Sequence, residues 1–234
     1  MQVISFESLV KRYGKQSAVN NLTTTVQAGR ITGFLGPNGA GKSTALRCLV
    51  GLAKPTSGSA TILGKTYREL SNPLQQVGTV LDNRGFHPAL SGRRNLQVVA
   101  AAAGISDSRV DEVLELVELS SAAKKKMKSY SLGMKQRLSL AGALLGSPEI
   151  LILDEPANGL DPAGIAWLRK FLRGLADQGK TVLVSSHQLA EMQNTVDDVI
   201  IINQGKLIAS GPIREVIGDG SLEEAFLKLT QGAN

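Results

Sequence analysis

The feature that most limits what this chain can become is the octapeptide Gly36-Pro37-Asn38-Gly39-Ala40-Gly41-Lys42-Ser43, set between an apolar run at 31–35 and a helix-like stretch at 42–52. A chain of this size meets the spelling Gly, any four, Gly, Lys, Ser or Thr by chance about once in a hundred. The strand before it and the helix after it make accident rarer still. Glycines let successive backbone N–H groups turn toward phosphate oxygens, and a helix opening at Lys42 adds its positive end at the same point. The pattern predicts a polyphosphate site. Gly36, Pro37, Asn38, Gly39, Ala40 and Gly41 form its backbone cradle, and Lys42 lies against the β- and γ-phosphates. Ser43 ligates a bridging Mg2+, and Thr44 bonds the α-phosphate. A turn that only joined strand to helix would leave Lys42 and Ser43 without a role.

A second segment gives the loop its chemistry. Ile150-Leu151-Ile152-Leu153-Asp154-Glu155 is an apolar strand ending in two acids, which puts both at the carboxyl edge of a parallel sheet, where ligands bind. Asp154 is suited to hold Mg2+, usually through water, and Glu155 to accept a proton from the water attacking the γ-phosphate. An isolated acidic pair is an ordinary strand end; the upstream loop changes that reading. His187, after Val184-Ser185-Ser186, falls on the same edge, within reach of the γ-phosphate or the attacking water.

Between and around these segments the periodicity sorts the chain. Residues 2–9, 17–26, 31–35 and 59–63 read as strands. From 86 to 128 the pattern is helical, with Leu96, Val99, Ala100 and Ala103 on one face and Val110, Val113, Leu114, Val117 and Leu119 on another. Helices at 132–145, 163–177 and 188–195 then alternate with strands at 150–153 and 181–184, which implies a parallel sheet. A hairpin at 199–202 and 206–209 and two short helices follow. With 234 residues, 42% of them hydrophobic and 20% charged, the chain can bury a core without staples. Its single cysteine, Cys48, reads as core packing, and no signal-like or membrane-length apolar run is expected, so the chain is predicted to stay in the cytoplasm. The formal charge of +6 is dispersed apart from Lys124, Lys125, Lys126 and Lys128, which read as a solvated loop rather than a nucleic-acid surface. His87 reads as a surface residue near the partner.

Ser131-Leu132-Gly133-Met134-Lys135-Gln136-Arg137, just upstream of the acidic strand, resembles the signature sequence of the ATP-binding-cassette family, and the resemblance covers nearly the whole chain. It implies an α/β fold: a P-loop NTPase core with a mixed β-sheet, an N-terminal antiparallel β-subdomain and an inserted α-helical subdomain. The whole of 1–234 would be one ATPase domain, with the nucleotide-binding core in 1–85 and 136–234 and the helical signature subdomain in 86–135. It also implies that two cassettes face each other head to tail, Ser131 and Gly133 of one clamping the γ-phosphate held by the loop of the other; a hydroxyl, backbone N–H groups and a helix N-terminus suit that charge. Ser131 can cap its helix at the same time.

By position, Tyr13 resembles the aromatic that stacks on adenine, and Gly159-Leu160-Asp161 the loop linking the two sites. Asp82 stands where the family usually has Gln or Glu, an oxygen ligand suited to Mg2+ but shorter. SLGMKQR is similar to the variant in cassettes that serve separately encoded drug- and lipid-exporter permeases. The implied function is ATP hydrolysis with Mg2+ in a dimer, a homodimer on the presence of both half-sites in one chain. That dimer would be peripheral on the inner face of the membrane and would drive an integral membrane permease, with no nucleic-acid partner. A soluble cassette working on ribosomes or DNA is the alternative, but this chain has one cassette and no sustained heptads. A GTPase would need an Asn-Lys-x-Asp segment, which the sequence lacks.

Overall fold

The computed structural model describes residues 1–81 and 85–231. Strands β1 (Gln2–Tyr13) and β2 (Gln16–Gln27) form a hairpin through Gly14, whose φ of 58° suits a residue without Cβ. The hairpin runs beyond the apolar alternation that ends near residue 9. Lys11, Arg12 and Tyr13 have no buried face, yet they pair in register with Val19, Ser17 and Gln16. The partner strand, not side-chain burial, extends β1 there. β3 (Ile31–Leu35) is buried throughout and leads into α1 (Lys42–Leu49). That helix stops short of residue 52 because Gly51 takes φ 73° and the N–H groups of Leu52 and Ala53 both return to the Arg47 carbonyl. β4 (Ser57–Ile62) completes a three-stranded antiparallel sheet in the order β2-β1-β4.

The remaining elements build the second layer. They are α2 (Pro73–Gln76), β5 (Val77–Val80), α3 (Gly92–Ala102), α4 (Asp107–Leu116), α5 (Leu132–Leu144), β6 (Ile150–Asp154), α6 (Pro162–Asp177), β7 (Thr181–Ser186), α7 (Leu189–Gln193), β8 (Asp198–Asn203), β9 (Lys206–Pro212), α8 (Ile213–Ile217) and α9 (Leu222–Gln231). The six-stranded sheet has the order β5-β6-β7-β3-β8-β9, parallel except for β9, which closes it antiparallel to β8. This is the mixed-sheet α/β fold expected. Crossovers place β7 between β3 and β6, with Leu35 beside Ser186 and Asp154 beside Ser185. The carboxyl ends of β3, β7 and β6 therefore open onto one edge, and each delivers one part of the site.

Alternation along the strands divides the core in two. Ile150, Ile152, Phe34, Leu183 and Ile200 point toward α1 and the antiparallel sheet. Leu151, Leu153, Val182, Val184 and Ile201 point the other way, into a cluster continuous with Leu96, Val110, Val113, Leu114 and Val117 of the helical lobe. That lobe is locked by Tyr130, whose hydroxyl donates to the Ala122 carbonyl at 2.8 Å and whose ring lies so close to Gly92 that no side chain fits there. The boundary expected at 135/136 falls inside α5, so lobe and core share a helix. Lys124, Lys125, Lys126 and Lys128 are all solvent-exposed, as the sequence suggested. Among the described residues no helix is long and apolar enough to cross a membrane. Because the lobe's core is continuous with the sheet's, Leu114→Ala is expected to cost about 3 kcal/mol and to lower the midpoint of one cooperative calorimetric transition, rather than split off a separate melting lobe.

Candidate active site

The loop between β3 and α1 is shaped by close backbone approaches. A Cβ at Gly36 would run into the Ile202 carbonyl, and one at Gly41, where φ is 103°, into the Ala18 carbonyl. Gly205, at the β8–β9 turn, donates to the Ala40 carbonyl at 2.9 Å and accepts from Asn20 at 2.8 Å, so two neighbouring hairpins brace the loop from behind. No side chain caps the amino end of α1, which leaves its first N–H groups available to an anion. In front of the loop lies a cavity of about 520 Å3, lined by residues 38–44, Glu155, Ser17, Ala18 and Gln204. Asn38, Gly39, Ala40, Gly41, Lys42, Ser43 and Thr44 all face it. Gly36 and Pro37 do not; their carbonyls serve Lys42 from behind.

Lys42 is 5% exposed and its ammonium donates to the Gly36 carbonyl at 2.7 Å and the Pro37 carbonyl at 3.3 Å. It also pairs with Glu155 Oε1 at 3.2 Å, while the other carboxylate oxygen, Oε2, is 2.9 Å from His187 Nδ1. The proposed base, the phosphate-binding cation and the edge histidine are thus one contiguous group. Glu155 itself sits at φ 50°, a left-handed conformation that costs a non-glycine residue about 1 kcal/mol or more. Its N–H donates to Ser185 Oγ at 2.9 Å, and the same hydroxyl donates to Asp154 Oδ1 at 2.5 Å. Asp154 and Ser43 are oxygen donors of the kind Mg2+ takes alongside phosphate oxygens. No cluster of three or more metal-ligating side chains exists among the described residues. Burial pushes the Cys48 thiol up, in keeping with a packing role on α1.

Two expected participants stand apart. Tyr13 is 53% exposed at the tip of β1, with Lys11 Nζ 4.8 Å from its ring centre. It pairs with Gln16, on the flank of the cavity, without lining it. Ser131 and Gly133 line a different cavity of about 450 Å3, bounded by Arg137, Gly159 and Asp161. Ser131 Oγ accepts from the Met134 N–H at 3.2 Å and so caps α5. A Cβ on Gly133 would meet only ordinary contacts, the nearest Leu160 at 3.7 Å, so nothing within the chain requires glycine there. Arg137 anchors this corner: it lies 4.0 Å over the ring of Trp167, the single tryptophan, and donates at 2.6 Å to Glu118, whose carboxyl it holds below the usual carboxylate range. Asp82 lies outside the described residues.

A glycine-built phosphate loop facing two strand-end acids across a parallel sheet, with a helical lobe carrying a serine-glycine turn, defines a nucleotide-hydrolysing cassette. Residues 19–158 match the family model described as ABC transporter. The chain belongs to that family, as an ATP-binding and ATP-hydrolysing subunit. It is 46% identical over 213 residues to the bacitracin transport ATP-binding protein BcrA of Bacillus licheniformis, covering 90% of this chain and 70% of that one. It is 38% identical over 224 residues to the lantibiotic transport ATP-binding protein SrtF of Streptococcus pyogenes, covering 96% of each. A solved ATP-binding subunit of an ABC transporter superposes with a TM-score of 0.85 at 27% identity over 97% of this chain and 99% of that one. A dimeric cassette in a post-hydrolysis state, bound to ADP and Pi, superposes at 0.80 with 26% identity over 90% and 99%.

Ser185 is the site residue that pattern reading missed. It is the last but one residue of β7, two positions before His187, where a hydrophobic strand count stops at Val184, and only the register beside Asp154 reveals it. Ser185→Ala removes the shared hydroxyl between both acids and leaves the Glu155 N–H unpaired. It is expected to lower ATP turnover by about tenfold or more and stability by about 1–2 kcal/mol, measured by steady-state phosphate release and denaturant unfolding.

Proposed function

We propose that the chain works as half of a head-to-tail dimer, two copies enclosing two ATP molecules, and that this dimer drives a membrane permease in export. The observation that carries the reading is the separation of the two half-sites. The phosphate cradle has a cation, acids and no signature serine, while the cavity at Ser131 and Gly133 has an uncrowded glycine and no phosphate loop. A second copy supplies to each what it lacks.

The chemistry follows from the contacts. ATP would enter with its adenine against Tyr13 and its phosphates in the N–H cradle of residues 38–44. The γ-phosphate draws the Lys42 ammonium from Glu155 and from the loop carbonyls, which frees the carboxylate. Mg2+, when bound, neutralises charge on the β- and γ-phosphate oxygens. Ser43 and Asp154 would hold it, with Asp82 the third candidate ligand, reaching it directly or through water. Glu155 then takes the proton of the attacking water as its oxygen bonds to the γ-phosphorus and the bond to the β–γ bridging oxygen breaks. His187, against the other carboxylate oxygen, fixes that water and the γ-phosphate. Ser131 Oγ and the α5 N-terminus of the second copy close the far side of the γ-phosphate.

ATP binding favours the closed pair and hydrolysis releases it, a population shift that the helical lobe passes to the permease on the cytoplasmic face. The bacitracin and lantibiotic transport relatives support a role in exporting cargo of that class, chosen by the permease.

Phosphate release with Mg2+ and ATP tests this across a range of protein concentrations. Specific activity should rise with concentration. Lys42→Ala and Glu155→Gln should each lose about a hundredfold or more, and Glu155→Gln should form an ATP-dependent dimer in light scattering. Specific activity independent of concentration, or a Glu155→Gln chain that stays monomeric with ATP, contradicts the shared site.

A further inference from the structure

The first turn of α5 rests on the loop that follows Glu155 at three successive points. Leu132 packs where a Cβ on Gly159 would stand, Gly133 faces Leu160, and Gln136 Nε2 donates to the Pro156 carbonyl at 2.6 Å. Gln136 is 2% exposed, and its Oε1 has no hydrogen-bond partner among the described residues. The same amide thus satisfies a buried carbonyl with its nitrogen and leaves its own oxygen unpaired, so its net contribution to stability is small while its grip on the loop after Glu155 is direct.

What it grips is specific. Pro156 carries no N–H, so its carbonyl is the one backbone group by which that residue, at the corner after Glu155, can be gripped, beside the Asn158 N–H bonded to the Glu155 carbonyl. Glu155 turns that corner at φ 50°, a conformation that surrounding contacts must impose.

We propose that Gln136 is a positioning residue that ties the signature turn at Ser131 and Gly133 to the orientation of Glu155, so that filling one ATP site of the dimer sets the base of the other. The inference rests on the general-base role of Glu155 and on the head-to-tail arrangement. In that arrangement Ser131 and Gly133 touch the ATP on the second copy's loop, whereas Glu155 serves the ATP on its own. Within one chain the two ATP sites are then separated by three residues of α5, from Gly133 to Gln136, and one hydrogen bond to the residue after the base. Movement of the α5 N-terminus onto a γ-phosphate would pull on Pro156 through Gln136, and a small displacement of a catalytic group is costly in rate. Reciprocity of coupling makes the effect visible as cooperativity between the sites.

The test uses the full chain carrying Gln136→Met, which keeps length and removes the donor, with Gln136→Leu as a second apolar replacement. MgADP affinity by calorimetry, thermal melting, and the kcat, KM and Hill coefficient of MgATP hydrolysis are read for each and for the parent. The expected result is a variant that still melts cooperatively and binds MgADP within about twofold of the parent, with kcat reduced about tenfold and a Hill coefficient falling from above 1 in the parent to 1. A folded variant with parental kcat and Hill coefficient overturns the proposal, as does a parent whose Hill coefficient is already 1. If MgADP affinity falls along with kcat in both variants, the nucleotide site itself has been disturbed, Gln136 is a structural residue and the proposal also fails. Glu155→Gln separates the two levels: loss of hydrolysis there with parental activity in Gln136→Met removes only the positioning role, whereas hydrolysis surviving in Glu155→Gln removes the general-base assignment itself.

Discussion

The buried ammonium of Lys42 is the charge around which the site is arranged. A cation that is 5% exposed cannot be left without partners, because an unpaired buried charge is far more costly than any single hydrogen bond. Within the chain it is satisfied by two carbonyls of its own loop and by Glu155. Those contacts fold the loop into the shape a phosphate needs, and they occupy Glu155 at the same time. On the proposed roles of Lys42 and Glu155, the interaction that holds the loop together is the one a γ-phosphate would replace, and replacing it would release the base.

That ion pair is possible only because the strand order brings its members together. Lys42 and Glu155 are 113 positions apart in sequence, and β7 lies between the strands that deliver them. Ser185 turns this intervening strand into a bridge, accepting from the backbone of one acid and donating to the side chain of the other. The glycines do comparable work from behind. Gly36 and Gly41 let the carbonyls of Ile202 and Ala18 approach the loop, which presses two neighbouring hairpins against it.

Much of this was legible in the sequence, for local reasons. The phosphate loop announces itself because its glycines, lysine and serine are contiguous, and β3 and β6 because burial on both faces makes them continuously apolar. The strand ends were harder. β1 reaches Tyr13 and β7 reaches Ser186 through residues that hydropathy assigns to loops, since pairing with a neighbouring strand decides them and pairing is not written in any one segment. The same blindness hid Ser185 and the amide of Gln136, whose meaning lies in Pro156, twenty positions on. The signature pair was found by resemblance, because the chain alone does not call for a glycine there: the space around Gly133 is open.

On the head-to-tail reading, two half-sites in separate cavities would make this chain a poor catalyst on its own and a concentration-sensitive one in company. On that reading, hydrolysis by free chains scales with the frequency of their encounters, so dilute, unassembled subunits spend little nucleotide. A permease that holds two copies side by side raises their effective concentration to the millimolar range typical of short tethers. Assembly itself then becomes the licence to burn ATP, without any separate inhibitor.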